Sequence, residues 1–127
     1  MSKQKIYFCT YGNSLYTNAK KRIINEAKNT NWFDSITCYG PEMLSKDFKN
    51  KFNTILCKKR GAGYWIWKFD ILFQELNKMQ DNDILIYLDS GCSINSNAKT
   101  RYLQYIDMLN NSDESMISFQ LSYQEKK

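Results

Sequence analysis

The apolar residues of this chain fall into short unbroken runs separated by longer stretches of helical periodicity. That alternation restricts the fold more than any other feature. The run Ile6-Tyr7-Phe8-Cys9, inside Lys5–Tyr11, is apolar on both faces, as a strand covered on both sides of a parallel sheet should be. Ser35–Tyr39, closed by Gly40-Pro41, and Ile84–Leu88, ending at Asp89, read as further strands. Thr54–Cys57 reads as an edge-like strand and Met116–Leu121 as an alternating one. After the break at Gly12-Asn13-Ser14, where Asn13 or Ser14 can cap, Tyr16, Ala19, Ile23 and Ala27 recur at helical spacing. Leu44–Phe52 is weakly amphipathic. Trp65, Phe69, Leu72, Leu76 and Met79 form an apolar stripe, with Ile66 and Phe73 beside it and Asp81-Asn82-Asp83 as its end. Lys99–Asn110 predicts another helix, with Tyr102, Ile106 and Leu109 facing inward. Strands that alternate with helices imply βαβ units: an α/β fold with a mainly parallel sheet and flanking helices.

At 127 residues the chain suits one domain, 1–127, large enough to bury a core without staples. A hydrophobic share of 43% excludes disorder. Histidine is absent and the four cysteines (Cys9, Cys38, Cys57 and Cys92) lack metal-ligand spacing. A structural zinc site and a histidine-based triad are therefore both excluded. Cys9 and Cys38 sit in apolar runs and read as buried thiols, which suits a reducing compartment. No signal core or membrane-length run is present, so the chain reads as soluble and cytoplasmic. The net charge of +5 is scattered along the chain. It fits a solvated surface better than a nucleic-acid footprint, and suits attraction of an anionic small molecule or an anionic membrane surface.

Three segments carry chemistry. In open α/β sheets, ligands bind outside the carboxyl ends of the strands. Asp89 stands at such an end, where a carboxylate can hold Mg²⁺ or Mn²⁺ against a diphosphate or accept from a ribose hydroxyl; equally, it can close a turn with Gly91. Gly61-Ala62-Gly63 precedes a helix and is flanked by Arg60 and Lys68. It offers N–H groups and cations to an anion, without the Gly-Lys-Ser/Thr ending of a Walker loop. On the helical wheel Trp65 belongs to the core stripe. Trp67 lies opposite, either covered by another segment or open to stack on a base or sugar ring. Thr10-Tyr11-Gly12-Asn13 forms the first strand-to-helix corner, either an ordinary glycine turn or the place where a nucleotide lies. Asp81 and Asp83 precede the strand that Asp89 follows, so they belong to the opposite edge of the sheet.

Taken together, Thr10-x-Gly12, Arg22, Arg60-Gly61-x-Gly63-Tyr64-Trp65-x-Trp67-Lys68 and Tyr87-Leu88-Asp89-x-Gly91-Cys92 resemble the N-terminal, donor-binding half of bacterial and viral GT-A-type glycosyltransferases. Those enzymes carry GYWxWKP and DAGC motifs at these places. Phe69 stands where the family has proline, and Gly91 where the general Asp-x-Asp pattern has its second aspartate. The resemblance implies a Rossmann-like fold that binds a nucleotide-diphosphosugar, and transfer of the sugar to a glycan or lipid-linked acceptor. It implies donor-binding roles for Thr10, Gly12, Arg60, Gly63, Tyr64, Trp67, Lys68, Asp89 and Gly91, with Asp89 as the ligand of a Mn or Mg ion, and it assigns no catalytic residue. It leaves the acceptor half outside these motifs, and a non-catalytic nucleotide-sugar-binding module is the alternative. Nucleic acid is not an expected partner. Peripheral membrane contact and self-association are compatible with the resemblance.

Overall fold

In a computed structural model of the chain, residues 3–118 are described. The chain divides into two compact units, Met1–Ile94 and Asn95–Lys127. The first unit is built on three strands, β1 (Ile6–Tyr11), β2 (Ser35–Tyr39) and β3 (Ile84–Tyr87). The sheet is parallel throughout, in the order β2-β1-β3. Phe8 lies beside Ile36 on one side and Ile86 on the other. The α/β architecture with a parallel sheet expected from the apolar runs is present, and its helix-flanked parallel sheet is Rossmann-like.

Alternation along β1 feeds two cores. Phe8 packs with Ile23 and Ala27 of α1 (Thr17–Thr30). Cys9 and Tyr11 pack with Tyr39, Leu44, Trp67 and Ile71, the last two from α5 (Trp67–Lys78). Helices therefore cover both faces of the sheet. Between β2 and α5 the chain makes α2 (Lys46–Lys51), α3 (Asn53–Leu56) and the single turn α4 (Gly61–Tyr64). Ser45 caps α2, accepting from Phe48 N–H.

Three expectations need correction. Thr54–Cys57 is not a strand: Asn53–Leu56 is helical, and Cys57 N–H donates to Asn53 O. Four residues of mixed character satisfied both patterns, and the continuous chain from α2 settled the matter. Tyr16 is not on α1 but precedes it in a 3-10 turn, Ser14–Tyr16, capped by the Asn13 side chain. The apolar stripe of the aromatic helix is not its buried face. Trp65 is 48% exposed, Phe69 75%, Phe73 64% and Leu76 55%, whereas Trp67, Asp70, Ile71 and Glu75 are buried.

The inverted face has a physical cause in its polar members. Asp70 accepts from Ser45 N–H (2.8 Å), the Ser45 hydroxyl (2.8 Å) and the Gln74 amide (2.8 Å). Glu75 Oε1 accepts from the Tyr39 hydroxyl (2.6 Å) and Lys78 Nζ (3.0 Å). Carboxylates that accept such bonds can be buried at far lower cost than unpaired ones. Burial and the neighbouring Glu75 carboxylate raise the Tyr39 hydroxyl pKa.

The second unit holds a 3-10 turn, Ser96–Ala98, and α6 (Lys99–Asn110), with Tyr102, Ile106 and Leu109 half-buried. Met116 to Ser118 form no strand, and the rest of the expected Met116–Leu121 strand lies outside the described residues. Among the described residues no helix is long and apolar enough to cross a membrane.

Candidate functional site

The strand order makes one edge of the sheet special. The chain leaves β1 toward β2, then returns across β1 to β3, with the connecting helices on opposite faces. At such a switch point the loops leaving adjacent strands diverge and open a crevice at their carboxyl ends. A cleft of about 220 Å³ lies there, lined by Tyr11, Gly12 and Asn13 from the end of β1, Ala62 and Trp67, and Asp89 to Gly91 from the end of β3. A wider groove of about 630 Å³ adjoins it, sharing Tyr11, Asn13, Leu15, Lys59 and Ala62 and adding Lys49 and Lys58. The cleft alone is below the usual span of small-molecule sites, roughly 300–1,000 Å³, and the adjoining groove extends it into that range.

The floor of the cleft is aromatic. Trp67 stacks on Tyr11 with centroids 3.9 Å apart and planes 13° apart. Its indole N–H donates to Gly61 O at 2.9 Å. Burial pushes the Tyr11 hydroxyl up to about 12, helped by the Glu42 carboxylate.

At the β3 end, the Tyr87 hydroxyl donates to Asp89 Oδ1 at 2.7 Å. Burial, then this bond, pushes the Tyr87 pKa far up, so Tyr87 acts as a fixed donor that aims the carboxylate. Lys68 Nζ sits 3.9 Å from the same oxygen and 4.8 Å from the Tyr87 ring centroid. Asp89 and Lys68 are both solvent-accessible, so their attraction contributes little to stability. They present opposite charges side by side at the mouth of the cleft.

The segment before α5 is held in an unusual conformation. Gly61, Ala62, Gly63 and Trp65 all have positive φ, from 50° to 103°. Ala62 and Trp65 lack glycine's freedom there, and such residues cluster at functional sites. At Gly63 a Cβ would come within 2.8 Å of Leu56 Cα. Glycine is required there by packing and by φ together.

The expected site residues separate into two groups. Gly12, Trp67, Asp89 and Gly91 line the cleft, with Lys68 beside Asp89. Thr10 does not: it is fully buried, and alternation turns it away from the face that Tyr11 shares with Trp67. Gly63 packs against Leu56, and the Arg60 guanidinium lies 6.0 Å from the Trp65 ring; neither lines the cleft. The Tyr64 side chain lies outside the described part of the structure. Trp67 resolves to the covered alternative: Tyr11 stacks on it and it is 5% exposed, with only its edge reaching the cleft lining. Trp65, expected in the core, lines the cleft as well. Tyr11, Asn13 and Lys59 were missed as lining residues. The first two belong to the quoted corner Thr10–Asn13, and position alone could have found them.

Among the described residues no three Cys, Asp or Glu side chains converge as a metal cage. One carboxylate, Asp89, is offered, and its Oδ1 already accepts from Tyr87. This set fits a hard divalent ion whose other positions are filled by diphosphate oxygens and water. It does not fit an ion held by protein alone. Compared with protein-family models, curated proteins and solved structures, the chain finds no match.

Proposed function

We propose that the cleft binds the diphosphate of a nucleotide-diphosphosugar, and that the chain is a glycosyltransferase, or the donor-binding part of one, acting on a glycan or lipid-linked acceptor. One observation carries this. At the β1/β3 switch point, a carboxylate oriented by Tyr87 stands 3.9 Å from an ammonium, beside glycine backbone and an indole face. The motif resemblance to GT-A-type enzymes points the same way.

In this mechanism Lys68, with Lys59 on the rim, neutralises the charge that grows on the diphosphate as the sugar leaves. Gly91, where the place of a Cβ is open, lets the phosphates approach main-chain atoms without side-chain obstruction. Asp89 would hold a Mg or Mn ion, which would supply further positive charge to the diphosphate. Trp65, half-exposed on the cleft wall, gives a base or sugar ring an aromatic surface.

A non-catalytic binding module is the second reading. It is favoured by one observation: Asp89 is the one carboxylate lining the cleft among the described residues. Calorimetric titration with UDP- and GDP-sugars, in the presence of Mg²⁺ or Mn²⁺, followed by an assay for nucleoside diphosphate release, decides between the two. Micromolar binding with release supports the transferase. Binding without release supports the module. Binding of neither nucleotide class overturns both.

A further inference from the structure

The turn that carries Asp89 is clasped by two side chains of α1. Arg22 Nη2 donates to Ser90 O at 3.0 Å and Cys92 O at 2.8 Å. Arg22 Nη1 donates to the Ser93 hydroxyl at 3.2 Å and Glu26 Oε2 at 2.7 Å. Glu26 Oε1 in turn accepts Ile94 N–H at 2.7 Å. The turn also closes on itself, Cys92 N–H donating to Asp89 O at 2.9 Å.

An Arg–Glu pair one helical turn apart on an open face does little by itself. Here each partner is committed to the main chain of the loop. A planar guanidinium can bridge two carbonyls in a fixed geometry that a lysine cannot reproduce. On the other wall of the cleft, Lys20 of the same helix donates to Gly12 O at 2.8 Å. Thus α1 grips the loops leaving both β1 and β3.

From this geometry we infer that Arg22 and Glu26 are positioning residues: they set the Ser90–Ile94 main chain so that Asp89 and Gly91 present to a ligand in the cleft. The inference rests on the nucleoside-diphosphate reading of that cleft. Neither side chain lines the cleft, so each acts through the loop.

The test uses the full chain with Arg22→Gln and Glu26→Gln, each alone and combined with Asp89→Asn. UDP and GDP with Mg²⁺ are titrated calorimetrically, and amide hydrogen exchange is followed at Ser90 to Ile94. Losing charge-assisted bonds to the loop is expected to weaken nucleotide binding about tenfold and to speed exchange at Cys92 and Ile94 by a similar factor. On the Asp89→Asn background the further loss is expected to be clearly smaller than tenfold, because the carboxylate is already gone and only the presentation of Gly91 is still at stake.

A full tenfold loss on that background would make Arg22 a general structural residue and overturn the inference. So would unchanged affinity in the single variants of a wild-type chain that binds. A wild-type chain that binds neither nucleotide overturns the nucleotide reading instead; exchange then judges the clasp alone, and unchanged rates in Arg22→Gln overturn it too. Arg22→Lys, which keeps the cation and loses the fork, serves where Arg22→Gln does not fold, and an intermediate loss is expected from it.

Discussion

Tyr11 at the end of β1 and Trp67 at the start of α5 lie ring on ring, 3.9 Å between centroids. One contact thus joins the sheet to the helix that covers it and also forms the floor of the cleft.

Trp67→Ala is expected to destabilise the chain by about 3–5 kcal/mol, as deletion of a buried aromatic does. Trp67→Phe keeps a ring and loses the bond to Gly61 O; it is expected to cost less, about 1–3 kcal/mol. Urea unfolding of both variants measures the difference. Equal stability of wild type and Trp67→Ala would remove the stack from the core.

Gly91 separates ligand from fold. Its two chain neighbours aside, no atom of the described residues lies within 4 Å of where its Cβ would be, and its φ is not positive. Gly91→Ala should therefore leave stability within about 0.5 kcal/mol of wild type. Asp89→Asn should do the same, since the side chain is 64% exposed. Both are expected to lower nucleotide affinity, Asp89→Asn by about tenfold with the loss of one charged contact. Paired thermal melts and titrations check this, and unchanged affinity in both variants would empty the β3 end of the cleft of any role.

Tyr39→Phe tests the buried carboxylate of α5. The Tyr39 hydroxyl gives Glu75 Oε1 a 2.6 Å bond, while Oε2 has no hydrogen-bond partner among the described residues. Removing that donor leaves Glu75 with Lys78 on the same oxygen. A loss of about 1–3 kcal/mol is expected in chemical unfolding. A neutral result would remove the Tyr39–Glu75 bond from what holds the core together.

Stability should fall at both ends of the pH range. Main-chain N–H bonds from Gln80 and Lys5 hold Asp83 below the usual carboxylate range, and the Ile94 N–H, then Arg22, do so for Glu26. The unfolded chain binds these protons more tightly. Their contribution is complete above about pH 4.5 and is lost as pH falls through the lowered values. Burial pushes the Cys9 thiol up to about 12. That contribution is complete below about pH 8.5 and is lost as pH rises toward the raised value. Melting temperatures from pH 2 to 11 should show a plateau between these limits. In Asp83→Asn the acid limb should be shallower, and an unaltered limb would contradict the role given to Asp83.

The three strands of the sheet and the three long helices were legible because their signals are local. Unbroken apolar runs gave β1, β2 and β3 nearly to the residue, and Lys99–Asn110 matches α6. What misled was the assumption that apolar side chains choose the buried face. In α5 that face holds Asp70 and Glu75, whose partners Ser45 and Tyr39 come from elsewhere in the chain. No periodicity can reveal such pairing. Asp89 was legible from its place after an apolar strand, and Lys68 from its place in the motif. Arg22 was quoted for its motif, while its bonds to Ser90 and Cys92 depend on how α1 crosses the sheet. The exclusion of Thr10 needed only the alternation of β1, applied to the correct face.

The crossing at β1 bears on how occupancy can be detected. Gly12, Ala62 and Gly91 come from three distant stretches of chain and meet only when all three strands are assembled. An unfolded chain holds no fragment of that meeting place. Any molecule that rests on all three must therefore raise the melting temperature, by an amount that grows with the logarithm of its free concentration over its dissociation constant. A thermal-shift screen of small anions would then serve as a direct census of what this crevice accepts.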